Sequence, residues 1–207
     1  MKAIVFDFGG VMTATTMPEL ARGPVEELGV RWEAVEDGFR RYRHAYDAGD
    51  ITMLEMYARI WADAGVSPSP EATRRVIEAD RASWLRRNER TQAWMKRLHD
   101  EGRAVGILTN MAPDFAPLFL EHYADFVAQA DAMVISGLER MHKPNRDIYD
   151  LLYARLSAAR ADVAGPHDLV FIDDVEENCR GAEAAGWRAI RFRTNDQVEA
   201  EWEKAED

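Results

Sequence analysis

The sequence predicts an α/β fold, on three observations. Short apolar segments with almost no alternation recur along the chain, helical patterns lie between most of them, and each segment runs into, or follows, a polar or glycine-bearing turn. Unalternated apolar strands are those covered on both faces, and alternating strands and helices make the sheet parallel. The expected architecture is an open parallel sheet with helices on both faces. Such sheets bind ligands at the carboxyl ends of their strands.

The elements follow in order. Lys2 to Phe8 is a β-branched and aromatic run feeding a tight turn at Gly9-Gly10. From about residue 17 to 88 no strand pattern occurs. Trp32, Val35, Phe39, Tyr42 and Tyr46 recur at helical spacing, as do Ile51, Leu54, Tyr57/Ala58 and Trp61. Thr52 with Glu55 fits a capping box, and Ser69-Pro70-Glu71 a helix start with proline at its first position. This stretch reads as a helical insertion after the first strand, its aromatic stripe forming core. Trp94 and Leu98 mark a helix before Gly102, and Ala104 to Leu108 a strand entering Thr109-Asn110. Ala132 to Ile135 is the next strand, followed after Pro144 by a helix carrying Ile148, Leu151, Leu152 and Leu156. Leu169 to Ile172 runs into Asp173-Asp174, residues 175–185 form a short helix stopped by Gly186, and Ala189 to Phe192 is the fifth strand.

The 207 residues suit one domain, or one domain with a sizeable insertion. With 26 Lys+Arg against 37 Asp+Glu, the net charge is −11. That disfavours nucleic acid and anionic membrane surfaces, which need a basic face, but not a small phosphorylated substrate, because a local site can differ in sign from the whole. It suits a monomer or a dimer alike. Six of the acids fall between Asn195 and Asp207, read as a solvated helical end. The single Cys179 excludes an internal disulfide and is read as core packing. The four-residue apolar run before Asp7 is too short for a signal peptide, and no stretch approaches the ~20 apolar residues of a membrane span. The cytoplasm is the expected location.

Several polar residues cluster at the predicted strand ends. A carboxylate at the tip of an apolar strand, as at Asp7, is costly unless it caps a turn or is used, and Gly9-Gly10 allows close backbone approach to an anion. Thr109 offers a hydroxyl and a backbone N–H for a phosphate oxygen, or simply a Thr-Asn turn. Lys143, before Pro144, is either a loop lysine or a counter-charge. Adjacent carboxylates Asp173 and Asp174 repel each other unless a lysine or a divalent cation neutralises them.

In this order (Asp7, Thr109, Lys143-Pro144, Asp173-Asp174) the residues resemble the haloacid dehalogenase (HAD) superfamily of phosphotransferases and hydrolases. The resemblance implies a Rossmann-like core, residues 1–16 and 89–207, with a helical cap of the C1 type at 17–88. Gly49-Asp50-Ile51-Thr52 with Glu55 looks like the cap of bacterial sugar-phosphate phosphatases, including those acting on glucose 1-phosphate. It implies Asp7 as nucleophile, forming an aspartyl-phosphate, and Mg²⁺ held by Asp7, the carbonyl of Gly9, Asp174 and, through water or by orientation, Asp173. Asn178 stands where many relatives have another acid. Thr109 and the N–H of Asn110 would hold the transferring phosphoryl group, and Lys143 would neutralise charge. The implied reaction is hydrolysis of a small phosphorylated metabolite, most of all a sugar phosphate.

The sequence departs from the family at Gly9, where most of its phosphatases have a second Asp that protonates the leaving oxygen. Loss of such a group typically costs ~10²–10⁴-fold in rate. Candidates for a substitute are His44, Asp47 and Asp50 in the insertion, and His142 beside Lys143. Two other readings fit Gly9: a dehalogenase, whose halide leaves without a proton, and a catalytically weak relative that binds a phosphorylated ligand or partner. Arg140 and His142 also stand where relatives often have Gly and Arg.

Overall fold

Ala3, Ile4, Val5 and Phe6 are completely buried, and they form the central strand β1 (Ala3–Phe6). The computed structural model describes residues 2–206. After β1 come α1 (Arg22–Glu27), α2 (Trp32–Asp47), α3 (Met53–Asp63), α4 (Pro70–Trp84) and α5 (Glu89–Asp100). Then follow β2 (Ala104–Thr109), α6 (Ala116–His122), α7 (Ala124–Val127), β3 (Ala132–Ile135), α8 (Ser136–Glu139) and α9 (Arg146–Ala159). The chain closes with β4 (Leu169–Asp173), α10 (Glu176–Ala184), β5 (Arg188–Arg191) and α11 (Asn195–Glu206).

The five strands form one parallel sheet in the order β3-β2-β1-β4-β5. Alternate residues of each central strand serve opposite faces. Ile4, Phe6, Val105, Ile107, Val170 and Ile172 meet Trp94 and Leu98 of α5, Phe119 of α6 and Trp202 of α11. Ala3, Val5, Leu108 and Phe171 meet Ile148, Leu152 and Leu156 of α9 and Ala182 of α10. Each such buried aliphatic or aromatic side chain contributes about 1.5–3 kcal/mol, so two-sided covering explains the unalternated strands.

One strand departs from that expectation. β5, one of the sheet's two edge strands, buries only Ile190, with Arg188 and Arg191 exposed. The acidic end does form a helix, but Val198 and Trp202 dock it on the core; Asp207 lies outside the described residues.

Helices α1–α4 bury a core of their own, with Val35, Phe39, Tyr46, Met56, Tyr57, Ile60 and Trp61 at its centre. Gly38 lets α2 and α3 approach closely: a Cβ there would lie 2.4 Å from Ile60. Thr52 and Glu55 cap α3 reciprocally, and Ser69 accepts the Ala72 N–H at the start of α4. The chain leaves and re-enters the sheet layer side by side: Ala14 N donates to Arg86 O (2.8 Å) and Asn88 N to Met12 O (2.8 Å).

Candidate active site

The carboxyl ends of β1, β2 and β4 converge. Asp7, one residue beyond β1, is buried, and its Oδ1 accepts from Phe8 N at 2.7 Å and from Lys143 Nζ at 2.8 Å. Lys143 lies in the loop before α9 with its side chain completely enclosed. Its ammonium also donates to Asp173 Oδ2 (2.6 Å) and the Leu108 carbonyl (3.1 Å). Asn110, after β2, clasps the Lys143 backbone in both directions, donating to its carbonyl at 3.0 Å and accepting its N–H at 2.8 Å. The lysine is therefore a fixed counter-charge, not a solvated loop residue.

Asp173, the last residue of β4, is completely buried and saturated. Besides Lys143 it accepts from Val175 N (2.8 Å) and from Asn178 Nδ2 at 3.0 and 3.1 Å. Asp174 is half-buried and lies over Gly10, where an added Cβ would meet its Oδ2 at 2.5 Å. Gly10 has φ +70°, which glycine adopts freely. One carboxylate oxygen from each of Asp7, Asp173 and Asp174 lies within 4.8 Å of the others.

Three carboxylates face one ammonium, and the titration reflects it. Burial pushes Asp7 up to about 8; Lys143 opposes the shift, and Asp173 and Asp174 add to it. Burial, then Asp173, raises Asp174 to about 6. Burial alone would lower Lys143, but Asp173 and Asp7 outweigh it and hold the ammonium charged. This uncompensated negative charge, made of hard oxygen donors, fits a divalent cation. Asp7 Oδ2 and the Asp174 carboxylate suit direct ligation, since neither is committed to the lysine or to a side-chain hydrogen bond among the described residues. Asp173, already holding four contacts, suits an orienting role.

A cavity of about 390 Å³ opens above these groups. Asp7, Gly9, Asn110, Lys143, Asp174 and Asn178 line its floor; Phe39, Arg43, Tyr46, Asp47 and Trp84 come from α2 and α4. Thr109 ends β2 almost fully buried and is not among the lining residues, whereas Asn110, Met111 and Ala112 are. Of the four candidates for a substitute acid, Asp47 alone lines the cavity. His44 and His142 instead meet each other, Nε2 to Nδ1 at 3.2 Å, and Asp50 is exposed. The aromatic stripe of α2 is core, as expected, yet Phe39 and Tyr46 also face the cavity.

Two cavity residues carry no signal in the sequence. The Trp84 ring lies 3.6 Å from the position a Gly9 Cβ would take, and the Arg43 guanidinium stacks 4.9 Å from the Trp84 centroid. Trp84 falls on the helical period of α4, and Arg43 resembles any charged residue on a helix face. Arg140 has φ +56°, the left-handed region that glycine adopts most freely. Cys179 is buried and its thiol is pushed up to about 12 by burial, in keeping with a packing role.

A carboxylate clamped by a buried lysine thus lies at the carboxyl edge of a parallel sheet, beneath a cavity, where open α/β sheets bind their ligands. The chain belongs to the haloacid dehalogenase-like hydrolase family, whose model matches residues 1–186. No curated protein matches it. Among solved structures it is similar to a HAD family enzyme of Bacteroides thetaiotaomicron, in complex with magnesium and inorganic phosphate. The two are 20% identical over 93% of this chain and 94% of that one, with a TM-score of 0.66. It is similar also to the L-2-haloacid dehalogenase of Xanthobacter autotrophicus with chloropropionic acid covalently bound (19%, 93% and 77%, 0.67). A third is a provisionally assigned β-phosphoglucomutase of Thermotoga maritima (21%, 94% and 88%, 0.66). At these identities the likeness establishes the shared fold. No helix among the described residues is long and apolar enough to cross a membrane.

Proposed function

We propose that the protein is a cytoplasmic Mg²⁺-dependent phosphatase acting on a small phosphorylated metabolite, most of all a sugar phosphate. The observation that carries this reading is the Asp7–Asp173–Asp174 cluster beside Lys143, with more negative charge than the lysine balances. Asp7 attacks phosphorus through Oδ2, the oxygen not held by Lys143, and forms an aspartyl-phosphate that water then cleaves. The Gly9 carbonyl, Asp7 and Asp174 would hold Mg²⁺, which supplies charge neutralisation between the anionic nucleophile and the anionic phosphate. Asp173 keeps Lys143 in place through its 2.6 Å contact. The Asn110 N–H, at the cavity floor, receives a phosphoryl oxygen and Lys143 offsets its charge, while Thr109, enclosed behind that floor, holds the strand end in place. Residues 17–88 act as a cap over the core formed by 1–16 and 89–207, supplying the upper cavity wall and excluding water during transfer.

A second reading, dehalogenation, is favoured by Gly9 and by the cavity's apolar wall of Phe8, Phe39, Trp84 and Phe115. It leaves the Asp7–Asp174 carboxylate pair without a purpose, since halide displacement needs no cation.

A phosphate-release panel of phosphorylated metabolites, with Mg²⁺ and with EDTA, tests the proposal. Turnover that EDTA abolishes and Asp7→Asn eliminates is the expected result. Metal-independent halide release from 2-haloacids would replace this reading with the second.

A further inference from the structure

Gly9 leaves the enzyme without a proton donor next to its nucleophile, and the Trp84 ring closes off that side of the strand end. A leaving alkoxide still needs a proton. Few ionisable groups share the cavity with Asp7. Lys143 is locked between two carboxylates, and Arg40 and Arg43 never give up a proton in water. Tyr46 is held as a neutral phenol, pushed above its ordinary value by burial and then by Asp114. Glu36 is half-exposed on the cavity wall. Asp47 remains.

Asp47 is the last residue of α2 and is buried. Both its carboxylate oxygens accept from the Arg43 Nε–H, at 2.7 and 2.9 Å, one helical turn back. Arg43 is itself held among the rings of Trp84, Phe39 and Tyr46. The Asp47 carbonyl accepts from Ser136 Oγ at 2.8 Å, and Ser136 Oγ in turn accepts the Met111 N–H at 2.8 Å. A single hydroxyl thus ties the end of α2 to the loop carrying Asn110, the residue that clasps Lys143. Gly49 packs against Pro113 of the same loop, 3.1 Å from where its Cβ would lie. These ties fix Asp47 relative to the floor of the cavity. Burial raises its carboxyl to about 6 against the pull of Arg43 and Lys143, so both of its forms are accessible near neutrality.

We infer that Asp47 is the general acid and base that replaces the carboxyl absent at position 9. The inference rests on the phosphatase reading above. As the Asp7–phosphorus bond forms and the phosphorus–oxygen ester bond breaks, the Asp47 carboxyl gives its proton to the departing oxygen, which leaves as the alcohol. The Asp47 carboxylate then takes a proton from the water that attacks phosphorus. The Asp7–phosphorus bond breaks, phosphate leaves, and both aspartates return to their starting states.

The test is the leaving-group dependence of Asp47→Asn, using p-nitrophenyl phosphate, phenyl phosphate and glycerol 3-phosphate with Mg²⁺. The amide keeps the shape and an acceptor for Arg43. The expected kcat/KM loss is about 10²–10⁴-fold on glycerol 3-phosphate and smallest on p-nitrophenyl phosphate, whose leaving group needs no proton. The kcat values should fall on all three, p-nitrophenyl phosphate included, because the water step is common to them. Equal kcat/KM losses on all three esters, or none, would overturn the inference. The wild-type enzyme tests it even if the variant fails to fold. An acid at the leaving oxygen keeps kcat/KM within about 10²-fold across the series, and a steeper fall toward the alkyl ester contradicts it. Wild-type inertness toward all three esters and the metabolite panel would instead sink the phosphatase reading itself.

Discussion

Replacing Lys143 by methionine removes the one cation between Asp7 and Asp173 while filling the same space. The ammonium makes contacts of 2.8 and 2.6 Å to the two carboxylates and 3.1 Å to the Leu108 carbonyl, with no exposed surface. Removing one partner of such a buried cluster typically costs about 3–5 kcal/mol. Domains of this kind are stable by about 5–15 kcal/mol, so the loss is a large share of the whole. With urea slopes of about 1–3 kcal/mol/M, the unfolding midpoint should drop by about 1–5 M in metal-free buffer at pH 8. Urea titrations followed by tryptophan fluorescence measure the shift. A midpoint shift under about 0.5 M would refute the picture of a single buried ammonium compensating two carboxylates.

Other outcomes follow from the same geometry. Gly10→Ala should cost about 1–2 kcal/mol for its left-handed backbone and also push Asp174 aside, since the new Cβ falls 2.5 Å from Oδ2. A lower Tm together with weaker Mg²⁺ binding by calorimetry is expected; unchanged Mg²⁺ affinity would contradict the placement of Asp174. The folded-state values of Asp7, about 8, and Asp174, about 6, both lie above the ordinary 3.8. Carboxyls raised in this way favour the folded state when protonated, so in EDTA their contribution is lost as pH rises from about 4 to about 8. The rise in Tm on adding Mg²⁺ should therefore grow over that window, and a rise independent of pH would count against the cluster as the metal site.

Much of this architecture is written locally. β1 to β4 announce themselves because each buried residue sits on a covered strand, and the Thr52–Glu55 box and Ser69-Pro70 mark helix starts by short-range hydrogen bonding. β5 misleads because how far neighbouring elements cover an edge strand is settled by tertiary packing, which no window of sequence reveals. Helices α6 to α8 are only seven, four and four residues long, leaving little period to read. The candidate site divides in the same way. Asp7, Lys143, Asp173 and Asp174 are conspicuous as charges at strand ends, but the clamp between Lys143 and Asp173 spans 30 residues and appears only on folding. Asp47 is one acid among 37 until folding buries it against Arg43 and turns it into the cavity. Trp84 beside Gly9 follows from the packing of α4 over β1's turn, so the sequence shows that an acid is missing without showing what occupies its side of the site.

The central claim, that Asp7 attacks phosphorus, is tested most directly by acid-quenching turnover of p-nitrophenyl phosphate in Mg²⁺, reducing with borohydride and analysing the Asp7 peptide by mass. Borohydride reduces an aspartyl-phosphate, but not a free aspartate, to homoserine, so homoserine at position 7 is the expected result. Steady phosphate release with the Asp7 peptide unreduced at every quench time would mean that water attacks the ester directly, and would contradict the account.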